Sequence, residues 1–191
     1  MRQVIRFSRT ERVFHWVNAV CFLWLLATGL VLYLPRLSEL FGRRPLMKGM
    51  HLWGGVAWVV ALALVALLGD RRRLAATTRE LETLEHDRFN PGQKVNAILS
   101  AAFFVLFVAS GALLWYGERN TRFRWASTVT LHDALLYGSL ILLVGHLYLA
   151  VIHPATRHSL RGMTRGTVDE DWARRHHPGW EAPPGGDFGA S

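Results

Sequence analysis

The chain has 191 residues, of which 51% are hydrophobic and 12% aromatic, a composition that a single soluble domain could also carry. Its one cysteine, Cys21, excludes an intrachain disulfide, a c-type haem attachment, and an all-cysteine iron–sulfur or zinc site within the chain. A net charge of +8 would suggest nucleic acid for a soluble protein, but no basic stripe with interleaved aromatics lies outside the apolar blocks.

The distribution of apolar residues decides the class. They gather into four blocks, 13–34, 50–69, 95–116 and 130–152, each close to the ~20 residues that cross a bilayer as a helix. The first block is too long for a cleavable signal and leads into three more. It ends before Pro35; the second ends at Gly69, before Asp70 and the run Arg71, Arg72, Arg73, which reads as a membrane anchor. The third follows Phe89-Asn90-Pro91-Gly92-Gln93-Lys94, a turn into a helix, and ends near Trp115 and Tyr116 at the interface. The fourth is closed by Pro154. Beyond it, Thr167 to Trp172 reads as the capped start of a short helix ending before Pro178, with disorder after about Glu181. No repeat is evident. The expected architecture is an all-α membrane protein, a four-transmembrane-helix bundle over 1–153 with a tail over 154–191. Segments 1–12, 70–94 and 153–191 carry 15 Lys and Arg against 7 in 35–49 and 117–129, so the positive-inside rule places both termini and the second connector in the cytoplasm.

Ionisable side chains within membrane helices are costly and mark function. Four histidines qualify: His15 at the inner end of the first block, His51 and His132 at the outer starts of the second and fourth, and His146 deep in the fourth. His86, His153, His158, His176 and His177 fall at interfaces or in connectors, where solvated roles suit them. Fourteen residues separate His132 from His146, which at ~100° per residue returns to within about 40° of the starting direction and spans roughly 21 Å of helix axis. Both face one side at different depths, so no single metal serves both. Depth pairs His132 with His51 and His146 with His15. Two opposed imidazoles are what a six-coordinate b haem requires, so the pattern predicts two haem b groups. His153, seven residues after His146, matches the depth of His15 equally well, and geometry alone does not reject it; His146 is favoured as the more deeply buried. Gly54, Gly55, Gly138 and Gly145 could admit a porphyrin edge or simply allow close helix packing. Arg12, three residues before His15, suits either a haem propionate or a membrane anchor.

Arg12-Val13-Phe14-His15-Trp16, Met50-His51, the Phe89 to Lys94 connector, Leu131-His132, Gly145-His146-Leu147-Tyr148 and the tail from Ser159 through Trp172-Ala173-Arg174-Arg175-His176-His177-Pro178-Gly179-Trp180 resemble the gamma subunit of respiratory formate dehydrogenase. The resemblance covers nearly the whole chain, with Pro91 where that family often has a small residue. It implies that His51 and His132 hold an outer haem iron and that His15 and His146 hold an inner one, choosing His146 over His153. It further implies a quinone site that includes Asn90, Gly92 and Gln93, although Asn90 reads equally well as a helix cap. As partners it implies an iron–sulfur subunit and a molybdenum or tungsten formate dehydrogenase subunit, which carries formate oxidation. Menaquinone or ubiquinone would be the acceptor, and the bacterial inner membrane the location. Two other readings compete: a di-haem subunit of a hydrogenase or another oxidoreductase, and a haem-free membrane anchor or transporter whose histidines only bridge helices.

Overall fold

The computed structural model describes residues 2–41, 43–83 and 85–181; the disorder expected after Glu181 falls outside them. In chain order it contains β1 (Gln3–Ile5), α1 (Arg9–Tyr33), α2 (Pro35–Phe41), α3 (Arg44–Leu68), α4 (Arg71–Leu81), α5 (Pro91–Gly117), a 3-10 turn (Thr121–Phe123), α6 (Ala126–Leu147), a π-helical turn (Tyr148–Ile152), a second 3-10 turn (Arg157–Ser159), α7 (Leu160–Arg165), β2 (Thr167–Asp169) and α8 (Glu170–His176). Among the described residues, four helices are long and apolar enough to cross a membrane: Arg9–Tyr33, Arg44–Leu68, Pro91–Gly117 and Ala126–Ile152. Their outward residues, among them Val20, Leu23, Val105, Ile141 and Val144, are exposed and apolar, as lipid contact requires.

Each spanning helix starts before its apolar block. Helix α1 begins with a capping box: the Ser8 hydroxyl accepts from Glu11 N–H at 3.3 Å, and the Glu11 carboxylate accepts from Ser8 N–H at 2.7 Å. The arginine run after Gly69 is no mere anchor. It forms the first turn of α4, capped by Asp70, whose carboxylate accepts from Arg73 N–H at 3.0 Å. Helix α2 was likewise not expected.

The described chain divides into two compact units. One comprises Phe14–Leu68 and Ala101–Leu140, and is a four-helix bundle of α1, α3, α5 and α6. Trp58 is its buried centre: its ring meets Phe22 and Phe104, and its indole N–H donates to Asn18 Oδ1 at 3.0 Å. That bond satisfies two polar groups which lipid would leave bare.

The other unit comprises the described residues of Met1–Val13, Gly69–Ser100 and Ile141–Ser191. Here β1 and β2 pair antiparallel, Gln3 opposite Asp169, Val4 opposite Val168 and Ile5 opposite Thr167. Val4, Val168, Trp172 and Ala173 form a small core against which Trp180 packs. Gly166, at φ +88°, closes α7 in the left-handed conformation and brings its carbonyl to the N–H groups of Arg6 and Phe7 at 2.8 and 3.1 Å. The short tail helix falls where the sequence places it, but Asp169 at its start does not cap it through the side chain. That carboxylate bonds Gln3 and pairs with Arg161.

Candidate functional site

The bundle brings His51 and His132 together. Their ring centroids lie 6.2 Å apart with the ring planes at 77°. His51 Nδ1 is 3.0 Å from Thr28 Oγ1 and His132 Nδ1 is 2.8 Å from Ser110 Oγ. With Nδ1 engaged, the coordinating atom left to each ring is Nε2. The gap between the rings suits one iron with a bond of ~2 Å, as metal–imidazole bonds are, to each imidazole. Among the described residues no group of three or more His, Cys, Asp and Glu could hold a metal by itself. A pair of imidazoles therefore fits a metal that arrives in a macrocycle, as haem iron does.

Of the glycines considered near these histidines, Gly54 and Gly138 serve close packing. A Cβ at Gly54 would fall 2.8 Å from the Trp24 ring, and one at Gly138 would fall 2.9 Å from Phe103. Gly55 and Gly145 border open space.

His15 lies near the start of α1, half-buried, its ring edge-on to Trp16. His146 lies near the end of α6, and the helix is regular from His132 to that point, so the two occupy nearly one helical face. Its side chain is exposed, which differs from the deeper burial expected of it. His153 is half-buried. Between His146 and His153 the π-helical turn at Tyr148–Ile152 breaks the α-helical seven-residue return that would put both on one face.

The connector before α5 is built around a second capping box. Asn90 Oδ1 accepts from Gln93 N–H at 2.8 Å, and Gln93 Oε1 accepts from Asn90 N–H at 3.1 Å, with Pro91 at the first helical position. Both side-chain carbonyls are committed, which leaves the amide NH2 groups as donors. Gly92 has no positive φ, and a Cβ there would meet only Asn90 Oδ1, at 3.4 Å.

Behind this connector sits a buried ionic network that the sequence did not reveal. Arg6, 2% exposed, donates through Nη2 to Arg88 O at 3.0 Å, Gln93 Oε1 at 3.3 Å and His177 Nε2 at 3.0 Å. Arg88 reaches Glu11 at 2.7 Å, Glu80 at 2.8 Å, Thr77 at 2.9 Å and Arg6 O at 2.9 Å. Lys94, fully buried, pairs with Asp87 at 3.0 Å. Burial, and then the Arg88 charge, pull the Arg6 guanidinium down to about 10. Burial alone would raise the Asp87 carboxyl, but bonds from Phe89 N–H and Lys94 hold it below its usual range. His177 is not the solvated residue its connector position suggested: it is 3% exposed and donates from Nδ1 to Asp87 O at 3.0 Å. Burial first, and Arg6 second, push its imidazole down to about 4.

The family model for prokaryotic cytochrome b561 matches residues 6–166. The chain belongs to the prokaryotic cytochrome b561 family. Cytochromes of this family are membrane proteins that transfer electrons through haem b, which accords with the facing imidazoles and the four spans. The chain is also 25% identical to the formate dehydrogenase cytochrome b556 subunit of Haemophilus influenzae, covering 93% of this chain and 82% of the relative. It is 25% identical to the cytochrome b556(fdo) subunit of formate dehydrogenase from Escherichia coli K12, over 93% of this chain and 91% of the relative. The nitrate-inducible formate dehydrogenase cytochrome b556(Fdn) subunit of the same organism is 24% identical, over 94% and 90%. This member of the cytochrome b561 family is thus a multi-pass membrane protein, as the sequence led one to expect.

Proposed function

We propose that this chain is the membrane cytochrome subunit of a formate dehydrogenase, carrying electrons from an iron–sulfur partner through two b haems to quinone in a bacterial inner membrane. The observation that carries the reading is the His51 and His132 pair, 6.2 Å between centroids with both Nδ1 atoms engaged, in a chain of the cytochrome b561 family. A bound b haem supplies a one-electron iron couple. His51 and His132 would hold one haem iron at the outer side, and His15 and His146 a second farther in, with His132 and His146 roughly 21 Å apart along α6.

In this reading the amide NH2 groups of Asn90 and Gln93, whose carbonyls are taken up by the cap, donate to a quinone carbonyl beside α5, next to Gly92. Formate oxidation is assigned to a molybdenum or tungsten partner subunit; the relatives are, by name, cytochrome subunits of formate dehydrogenases. With both termini and the tail 154–191 in the cytoplasm, protons taken up by the quinone come from that side. Each electron moved inward then works against the membrane potential by about 2.3 kcal/mol per 100 mV.

The test is a reduced-minus-oxidised visible spectrum of the assembled membrane protein with a haem count per chain, repeated for His51→Ala and His146→Ala. Two b haems, with a different one lost in each variant, are expected. A colourless assembled protein overturns the reading. Co-purification of the soluble subunits identifies the electron donor.

A further inference from the structure

The outer histidine pair is built twice over from one short pattern. Ala27-Thr28-Gly29 lies on α1 and Ala109-Ser110-Gly111 on α5. In each, the hydroxyl contacts a histidine on the following spanning helix, 23 residues on for Thr28 and 22 for Ser110. Each hydroxyl also donates backwards along its own helix. Thr28 lies 2.9 Å from Trp24 O and 3.2 Å from Leu25 O; Ser110 lies 2.6 Å from Leu106 O and 3.3 Å from Phe107 O. Both hydroxyl residues are buried, at 5% and 1% exposure.

A hydroxyl has one proton. Since that proton is shared between the two carbonyls, the contact with the imidazole runs from Nδ1–H to the hydroxyl oxygen. Both rings are thereby held as the Nδ1–H tautomer, with Nε2 carrying the lone pair. Gly29 makes room for its ring, since a Cβ there would sit 3.2 Å from His51 Cε1, whereas one at Gly111 would be in ordinary contact, 3.7 Å from His132 Cε1.

We infer that Thr28 and Ser110 are positioning residues that set the tautomer, ring orientation and donor strength of His51 and His132, and through them the potential of the outer haem. The inference rests on the haem-binding reading above. A hydrogen bond accepted from the far nitrogen of a metal-bound imidazole makes that imidazole a stronger donor. A stronger donor favours the oxidised iron, so the hydroxyls lower the outer potential. The near-perpendicular rings also divide their π-donation between two iron orbitals, which leaves those orbitals close in energy. The ferric signal expected from this arrangement is strongly anisotropic and low-spin.

The experiment is a redox titration and electron paramagnetic resonance of the assembled complex carrying Thr28→Val, Ser110→Ala or both. The outer haem's midpoint potential is expected to rise in each variant and most in the double one, its ferric signal to become less anisotropic, and the inner haem to stay where it was. Thr28→Ser and Ser110→Thr are expected to restore the original potential, which a purely packing role would not predict. Gly29→Ala should shift the outer haem and Gly111→Ala should not, because only the first forces a ring to move. A two-haem protein whose outer potential ignores the loss of both hydroxyls overturns this inference alone. A wild-type complex without haem overturns the reading beneath it and this inference together.

Discussion

At the scale of single residues, the chemistry of the unit that joins the N-terminal segment to the tail turns on His177. Its Nδ1 donates to Asp87 O and its Nε2 accepts from Arg6, so the fold requires the neutral ring. Protonation removes the acceptor that Arg6 uses and places two cations face to face. The unfolded chain takes up a proton near ~6.5, whereas the folded ring resists it down to about 4. The stability that this residue contributes is therefore full above that unfolded value and falls as the pH drops from ~6.5 towards 4. Hydrogen exchange at 167–181 should show protection that is level above neutrality and declines through that window, and His177→Gln should flatten the decline. Arg88 makes a sharper case, since Arg88→Ala leaves Glu11 buried with no cation beside it. The loss expected is about 3–5 kcal/mol, read as denaturation of the same unit, while Arg88→Met combined with Glu11→Gln should lose much less. The pair of His51 and His132 that the bundle brings together was legible in the sequence because an ionisable group in an apolar helix stands out. Thr28 and Ser110 were not, because a helical hydroxyl ordinarily bonds its own carbonyls and needs no further reason. The signal that could have found them is the repeated Ala-hydroxyl-Gly pattern, set at nearly the same distance before a histidine.

At the scale of elements, the spans were legible from length and apolarity, while their beginnings were not. Capping boxes at Ser8 and Glu11, and at Asn90 and Gln93, start helices on polar residues outside the blocks that hydropathy picks out. The π-helical turn at Tyr148–Ile152 has no period in the sequence, which is why His146 and His153 looked interchangeable. With that turn in place, His153→Ala should keep both haems in a visible spectrum. Asn90 presents two roles that substitution can separate. Asn90→Ala removes a cap and should cost about 1 kcal/mol. Asn90→Ser preserves the cap, since serine serves there about as well, but lacks the amide NH2. If that group donates to quinone, Asn90→Ser leaves the protein as stable as before and raises the KM for quinone. An unchanged KM in a stable, haem-loaded complex would reduce Asn90 to its capping role.

At the scale of the whole molecule, the pairing of the chain's beginning with its tail fixes a topological relation that charge counting only suggested. Gln3, Val4 and Ile5 lie against Asp169, Val168 and Thr167, more than 160 residues on. Three-residue strands have no readable alternation, and a contact of that separation leaves no local trace, so nothing in the sequence announced it. Two segments joined by backbone hydrogen bonds stand on one side of a membrane, and an even number of spans between them agrees. The same unit contains Arg88 from the connector before α5, bonded to Arg6 and Glu11 of the N-terminal segment, and Lys94 from the first turn of α5, paired with Asp87. All three basic segments therefore share a side, the one that carries 15 of the 22 Lys and Arg, and the reading proposed above makes that side the cytoplasm, as the positive-inside rule has it. Single cysteines introduced by Ser159→Cys and Asn120→Cys, in chains where Cys21→Ala removes the native thiol, put this to the test with a membrane-impermeant thiol reagent. Intact cells should label the cysteine at position 120 and leave that at 159 protected until the membrane is opened. Labelling at 159 from outside would invert the topology, and with it place the Asn90 connector and any quinone protons on the outer face.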